Sequence, residues 1–274
     1  MVVSSFSSSS YPVQDVLAAL RLHQEWGVDE LIEDVPWAIW QEEPARPAIG
    51  RGGVAPSSSS AERLTAKQET RSLQEAQAAL AKAEDPEALL QAGRHIPGVT
   101  LARTAKHHLG LHLVKDAPFL LIGDVPNEDE DRHGTLFAGE MGRLLERILA
   151  SIGMKREQLS CVPAIPWRPP GGQRVSQREL ELCVPILHRA IALAQPSRIV
   201  TMGATPAWML LRQEVRLSQL RGRWHEVMIP SMAAPIPLLP LWHPAQLGDN
   251  AGRRRHLWAD ILLLEETLQK EKVR

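Results

Sequence analysis

Two short stretches hold most of the side chains that could do chemistry. The first, "GDVPNEDED" (123–131), crowds five carboxylates, Asp124 and Glu128 to Asp131, into a Pro/Gly-punctuated loop after the apolar run "FLLIG". The second, "HPAQLGDN" (243–250), places His243 directly after "IPLLPLW". A neutral imidazole can donate one hydrogen bond without surrendering its proton, and a carboxylate can position water or oppose developing positive charge. Asp129, Asp131, Gly134 and Glu140 also match four positions of a calcium-binding loop between two helices. That motif needs a helix before it, whereas a strand-like run and Pro126 come first, so calcium is set aside.

The elements that must position these loops alternate between short apolar runs and helical periodicity from Pro118 onward, the pattern of an α/β layer structure. Four strands are expected at "FLLIGD" (119–124), "LSCVPAI" (159–165), "RIVTMG" (198–203) and "IPLLPLW" (236–242). Helices are expected between them. One carries Leu144, Leu145, Ile148, Leu149 and Ile152, and a second opens at Ser176 with Glu179 at capping-box spacing. A third covers about 204–212, and the last about 253–270. Such units form a mainly parallel sheet, whose ligands gather outside the carboxyl ends of the strands. The loops after the strands therefore carry the functional information.

Upstream, residues 1–40 read as an N-terminal helical segment and 41–61, rich in Pro, Gly and Ser, as a flexible linker. The domain is expected over 62–274, with its core at about 118–274, and opens on a helix over 62–84. At 274 residues and a formal net charge of -1, the chain can bury a large core and carries no general nucleic-acid coat, which leaves room only for a local basic patch. Two cysteines are too few for a disulfide scaffold. No signal peptide or membrane-length apolar run is present, so a cytoplasmic, membrane-free monomer is expected.

From about Leu120 to the C-terminus the chain resembles the uracil-DNA glycosylase superfamily, particularly its iron-sulfur branch. The matching stretches are "GDVPN" with "EDRHGTLFAG", then "PWRPPGG", "RGRW", "HPAQL" and "RRHLWADIL", in the family's order. The resemblance implies a three-layer α/β/α sandwich around a central four-stranded, mainly parallel sheet. It implies hydrolysis of the N-glycosidic bond of uracil or a related deaminated base in DNA, in base excision repair. Enzymes of this type extrude the target nucleotide from the helix.

In that frame His243 would donate to the uracil O2, and Phe137 would stack on the flipped base. Asp124 would position water or oppose the sugar cation, and Glu130 would lie near the pocket with Asn127 and Val125. Glu128, Asp129 and Asp131 are expected to be solvated. Arg168, Arg174, Arg221, Arg223 and Arg253 to Arg255 are candidate DNA contacts, and Leu247 a candidate wedge for the vacated stack.

The chain also departs from the family pattern. Of the four cluster thiolate positions only Cys183 is retained, Trp167 replaces another, and Cys161 stands at an unrelated position, so no iron-sulfur cluster, cofactor or metal is expected. Pro163 stands where the branch has an asparagine that reads uracil, Val125 where the classical branch has a water-activating aspartate, and Asn127 where the first motif closes on a glycine. These departures support an alternative, a catalytically impaired DNA-binding protein of the same fold. A phosphate or nucleotide hydrolase is disfavoured by the absence of glycine-rich phosphate loops. The N-terminal segment is expected to recruit a protein partner.

Overall fold

The computed structural model describes residues 60–213 and 215–272. The expected N-terminal helical segment lies outside these residues, as does the linker up to Ser60, where a helix already begins. Helix α1 (Ser60–Lys82) ends at the residues before Asp85, whose side chain caps α2 (Pro86–Arg94) by accepting the Ala88 N–H at 2.8 Å.

One sheet runs through the domain, built from β1 (Leu120–Gly123), β2 (Ser160–Pro163), β3 (Ile199–Met202), β4 (His225–Val227) and β5 (Ile236–Leu241). Its order is β2-β1-β3-β5-β4, with β4 antiparallel to β5 and every other pair parallel. Successive strand residues point to opposite faces, so a strand covered on both sides must be apolar throughout. Leu120, Ile122, Val162, Ile199 and Leu238 enter one core layer; Leu121, Cys161, Val200, Leu239 and Leu241 enter the other. The first layer is covered by α1, α2, α5 (Gln177–Ala194) and α6 (Ala204–Leu211), and the second by α4 (Gly139–Ser151) and α8 (Ala251–Lys272). The expected α/β/α class holds.

Two elements differ from the sequence reading. The four expected strands are β1, β2, β3 and β5, and β4 is a fifth. It is three residues long with only Val227 buried, too short for alternation to reveal it. The carboxylate stretch, read as a loop, contains α3 (Glu128–His133). Its capping box pairs Asn127 with Glu130, and Gly134 closes it in the left-handed region at φ 67°. Helix α7 (Leu217–Leu220) is a single turn before β4.

The strand order fixes where a ligand can sit. From β1 the chain crosses to β2 on one side, then returns past β1 to β3 on the other, so β1 and β3 are the point where the connections diverge. In open α/β sheets that is where ligands bind, outside the carboxyl ends of the strands. Asp124 follows β1, Gly203 follows β3, and Trp242 and His243 follow the neighbouring β5. No helix of the described residues is long and apolar enough to cross a membrane.

Candidate active site

Asp124 leaves β1 with Oδ1 accepting the Val125 N–H at 2.9 Å. Its other oxygen lies across the end of β3, over Gly203. That glycine has φ 112°, and a Cβ there would fall on Asp124 Oδ2, so the close approach requires a residue without a side chain. Asp124 is near enough to His243 for its charge to act on the imidazole. Burial pushes the His243 pKa below its ordinary value, and the Asp124 charge partly opposes this.

The local backbone selects the His243 tautomer. Nδ1 accepts the Ala245 N–H at 3.2 Å, and the His243 N–H donates to Gln246 Oε1 at 3.3 Å, closing the turn that starts at Pro244. Since a backbone N–H can only donate, Nδ1 is unprotonated and the proton of the neutral ring is on Nε2. The site thus presents a neutral imidazole with an Nε2–H donor.

Phe137 lies against this imidazole. The ring centroids are 6.1 Å apart and the planes differ by 20°. A base sandwiched between them would need two stacking spacings of about 3.5–4.0 Å each, so the rings are too close to enclose one. Phe137 is only 1% exposed, so its ring is closed over by packing and a base could reach it only if that packing opened. Phe137 also reaches the end of β1, where a Cβ on Gly123 would come within 3.3 Å of its Cζ.

Glu130 holds this aromatic in place. It is 3% exposed, with Oε1 accepting the Phe137 N–H at 2.7 Å and Oε2 the Asn127 N–H at 2.9 Å. Burial pushes its pKa up, and these two bonds oppose that rise by favouring the carboxylate. The Phe137 carbonyl accepts from Arg156 Nη1 at 3.0 Å, and its oxygen lies where a Cβ on Gly142 would be. Both sides of the residue are thereby tied down in the left-handed conformation, φ 56°, which an unsupported phenylalanine avoids. The remaining acids have structural partners. Asp131 Oδ1 accepts the N–H groups of Lys106 and His107 at 2.9 and 3.0 Å, while Glu128 and Asp129 pair with Arg132.

Other expected site residues are placed as follows. Asn127 Oδ1 accepts the Glu130 N–H at 3.0 Å, so this atom serves the helix cap. Val125 is partly buried against the core, and Pro163 is buried in edge strand β2 opposite Gly123. Leu247 is a core side chain, 5% exposed, rather than a projecting wedge. Arg221 is turned inward onto buried Asp260 in a two-bond pair, Nε to Oδ2 at 2.7 Å and Nη2 to Oδ1, with Nη2 also donating to the His256 carbonyl. Its guanidinium is therefore committed to the fold and not to a phosphate. Arg253 donates to the Gln246 carbonyl at 2.8 Å and lies over the Trp242 ring, bracing the turn after His243. Arg168 lies 3.9 Å from Glu128, whereas Arg174, Arg223, Arg254 and Arg255 are exposed.

Gly203, Arg156 and Gly142 were not singled out from sequence, although the glycine after a strand in "RIVTMG" marked a site of close backbone approach. The Asn127-to-Glu130 spacing also carried the capping signal that reveals α3.

A family model described as the uracil DNA glycosylase superfamily matches residues 112–262. The type-4 uracil-DNA glycosylase of Archaeoglobus fulgidus is 29% identical over 160 residues, covering 57% of this chain and 79% of the relative. That of Pyrobaculum aerophilum is 28% identical over 148 residues, 53% and 74% of the two chains, and that of Thermotoga maritima 27% over 159 residues, 57% and 80%. The match to type-4 uracil-DNA glycosylases stands against the expectation of a protein without cofactor, and that expectation is withdrawn. The residues present do not fit an iron-sulfur cluster unaided. Cys161 and Cys183 are buried in different core layers, burial pushes both thiols up to about 12, and cluster ligands are thiolates. Among the described residues no group of three or more His, Cys, Asp or Glu side chains is placed to hold a metal ion, so no chemical step is derived through one. The matching family model spans more than half of the sequence, and the chain belongs to the uracil DNA glycosylase superfamily.

Proposed function

We propose that the protein is a DNA N-glycosylase that hydrolyses the bond between deoxyribose and uracil or a related deaminated base. The observation that carries this reading is the convergence of Asp124, Phe137 and the Nε2–H tautomer of His243 at the carboxyl ends of β1, β3 and β5. Breaking the bond leaves negative charge on the departing base and positive charge on the sugar, and a site that catalyses it must oppose both. If the packing over Phe137, now 1% exposed, opened to admit a base, the base stacked on it would lie close to parallel with the imidazole, because the two rings differ by 20°. The Nε2–H would then meet a base carbonyl edge-on, in the direction a hydrogen bond prefers. The Asp124 carboxylate, held by Gly203 and the Val125 N–H, opposes charge on the sugar or orients the attacking water. This role in repair fits a cytoplasmic, DNA-bound monomer, with residues 1–40 and 41–61 as a partner-recruiting segment and its linker.

The test is release of base from uracil-, hypoxanthine- and xanthine-containing oligonucleotides, followed by alkaline cleavage of abasic sites. Wild-type protein yields product from at least one, and His243→Ala loses most of it. Equal product from both proteins would remove His243 from the mechanism.

A second reading, a DNA-binding protein that has lost turnover, is favoured by Pro163 and Asn127. Proline has no side-chain group to read uracil, and the Asn127 carbonyl oxygen is occupied by the Glu130 N–H. Salt-sensitive binding with no product from any of the three lesions would select it.

A further inference from the structure

The geometry points to a second DNA contact outside the base site, a basic and aromatic ridge on α8 that holds unpaired DNA by stacking one base on Trp258; this rests on the DNA-processing reading above. The last helix packs on the sheet through Leu257, Ile261 and Leu264, with Asp260 buried beside them. That face accounts for its attachment to the fold. On another flank two large apolar side chains face water, Trp258 at 49% exposure and Leu262 at 44%. They are four residues apart, which places them side by side on a helix.

Charge identifies the occupant. Arg254 and Arg255 precede Trp258 by four and three residues, the two spacings that bring helical side chains together, and both are exposed. No acidic residue stands between Ala251 and Trp258, and Asp260 is already neutralised by Arg221. Arg254 lies 3.7 Å from Asp249, but both side chains are more than half exposed, and such a pair yields readily to a polyanion. An indole face beside two guanidinium groups is the combination that retains single-stranded nucleic acid, the cations following phosphates while the ring accepts any base. A duplex keeps its bases stacked on each other and offers Trp258 none.

The ridge also stands at the correct end of the molecule. Helix α8 begins eight residues after His243, and Arg253 ties its first turn to the turn that carries that histidine. Trp258 is seven residues into the helix, about 10 Å along its axis at a rise of 1.5 Å per residue. A strand whose damaged base enters the site can therefore extend a few nucleotides onto the ridge, and the preferred substrate is a lesion in single-stranded or locally unpaired DNA.

The experiment is fluorescence anisotropy of the full chain with a labelled, lesion-free single strand and with the same strand as a duplex, at several salt concentrations. Trp258→Ala should weaken single-strand binding by about 5- to 150-fold and leave duplex binding unchanged, while Trp258→Phe retains most of it. Arg255→Gln should lower the salt slope on the single strand by about 0.7. Unchanged single-strand affinity in Trp258→Ala, or an equal loss on both DNAs, would overturn the proposal. So would self-association of the wild type that Trp258→Ala abolishes, which would assign the patch to a second copy of the chain. Thermal unfolding of each variant verifies folding. Binding sensitive to Trp258 in a protein that releases no base would sink the glycosylase reading alone. Base release with a silent Trp258→Ala would sink the ridge alone.

Discussion

Replacing Glu130 by alanine should loosen the aromatic wall of the site and destabilise the domain together. The Phe137 N–H, buried, loses its acceptor at 2.7 Å, at a cost of about 1–3 kcal/mol. The Asn127 N–H is only partly buried and recovers some solvation, so losing its 2.9 Å bond costs about 0.5–1.5 kcal/mol. Removing a carboxylate whose burial pushes its pKa up relieves part of this. A net loss of about 2 kcal/mol follows, which for a domain of this size lowers Tm by about 4–8 °C. Glu130→Gln keeps one acceptor and should lose about half as much. Freed at its N–H, Phe137 has less reason to hold φ 56°, so substrate stacking weakens and KM rises more than kcat falls. Thermal unfolding and steady-state kinetics on a uracil-containing strand check this. An alanine variant with wild-type Tm and KM would refute the idea that Glu130 sets the Phe137 conformation.

Three further outcomes are expected. Burial holds the His243 pKa below its ordinary 6.5, so its neutral form contributes stability above that pH and loses it as pH falls toward the folded value. The acid limb of kcat/KM should accordingly lie below 6.5, and Asp124→Asn, which removes the opposing charge, should move the His243 titration lower still by NMR. Gly203→Ala should expel the Asp124 carboxylate and lower kcat/KM about as much as Asp124→Ala, with little added loss in the double variant. Arg221→Ala should lower stability by about 3–5 kcal/mol in denaturant titrations by leaving Asp260 buried and unpaired, while changing single-strand DNA affinity little.

The sequence alone determined the layer architecture, because its four apolar runs are long enough to be covered on both faces and the helices between them repeat at helical spacing. It located the polar loops at the strand ends for the same reason: a polar stretch that interrupts such runs must leave the covered layer where a strand ends. Local signals were legible only when whole and recognised. The Asn127–Glu130 capping box was present but unread, and β4, with one buried residue, had too little pattern to register.

Tertiary structure decided which charges serve the site. Five carboxylates of one stretch are alike in sequence, yet Glu130 is buried under Phe137 while Asp131 ties down a distant loop. Arg221 and Arg255 are equally basic, but one is consumed by Asp260 and the other faces water. The closeness of Asp124 to Gly203 depends on strand ends brought together by the order β2-β1-β3-β5-β4, whereas the His243 tautomer is set within its own turn by the Ala245 N–H. Residue type fixes what a group can do. Its burial and partners, which are long-range properties, fix what it is free to do.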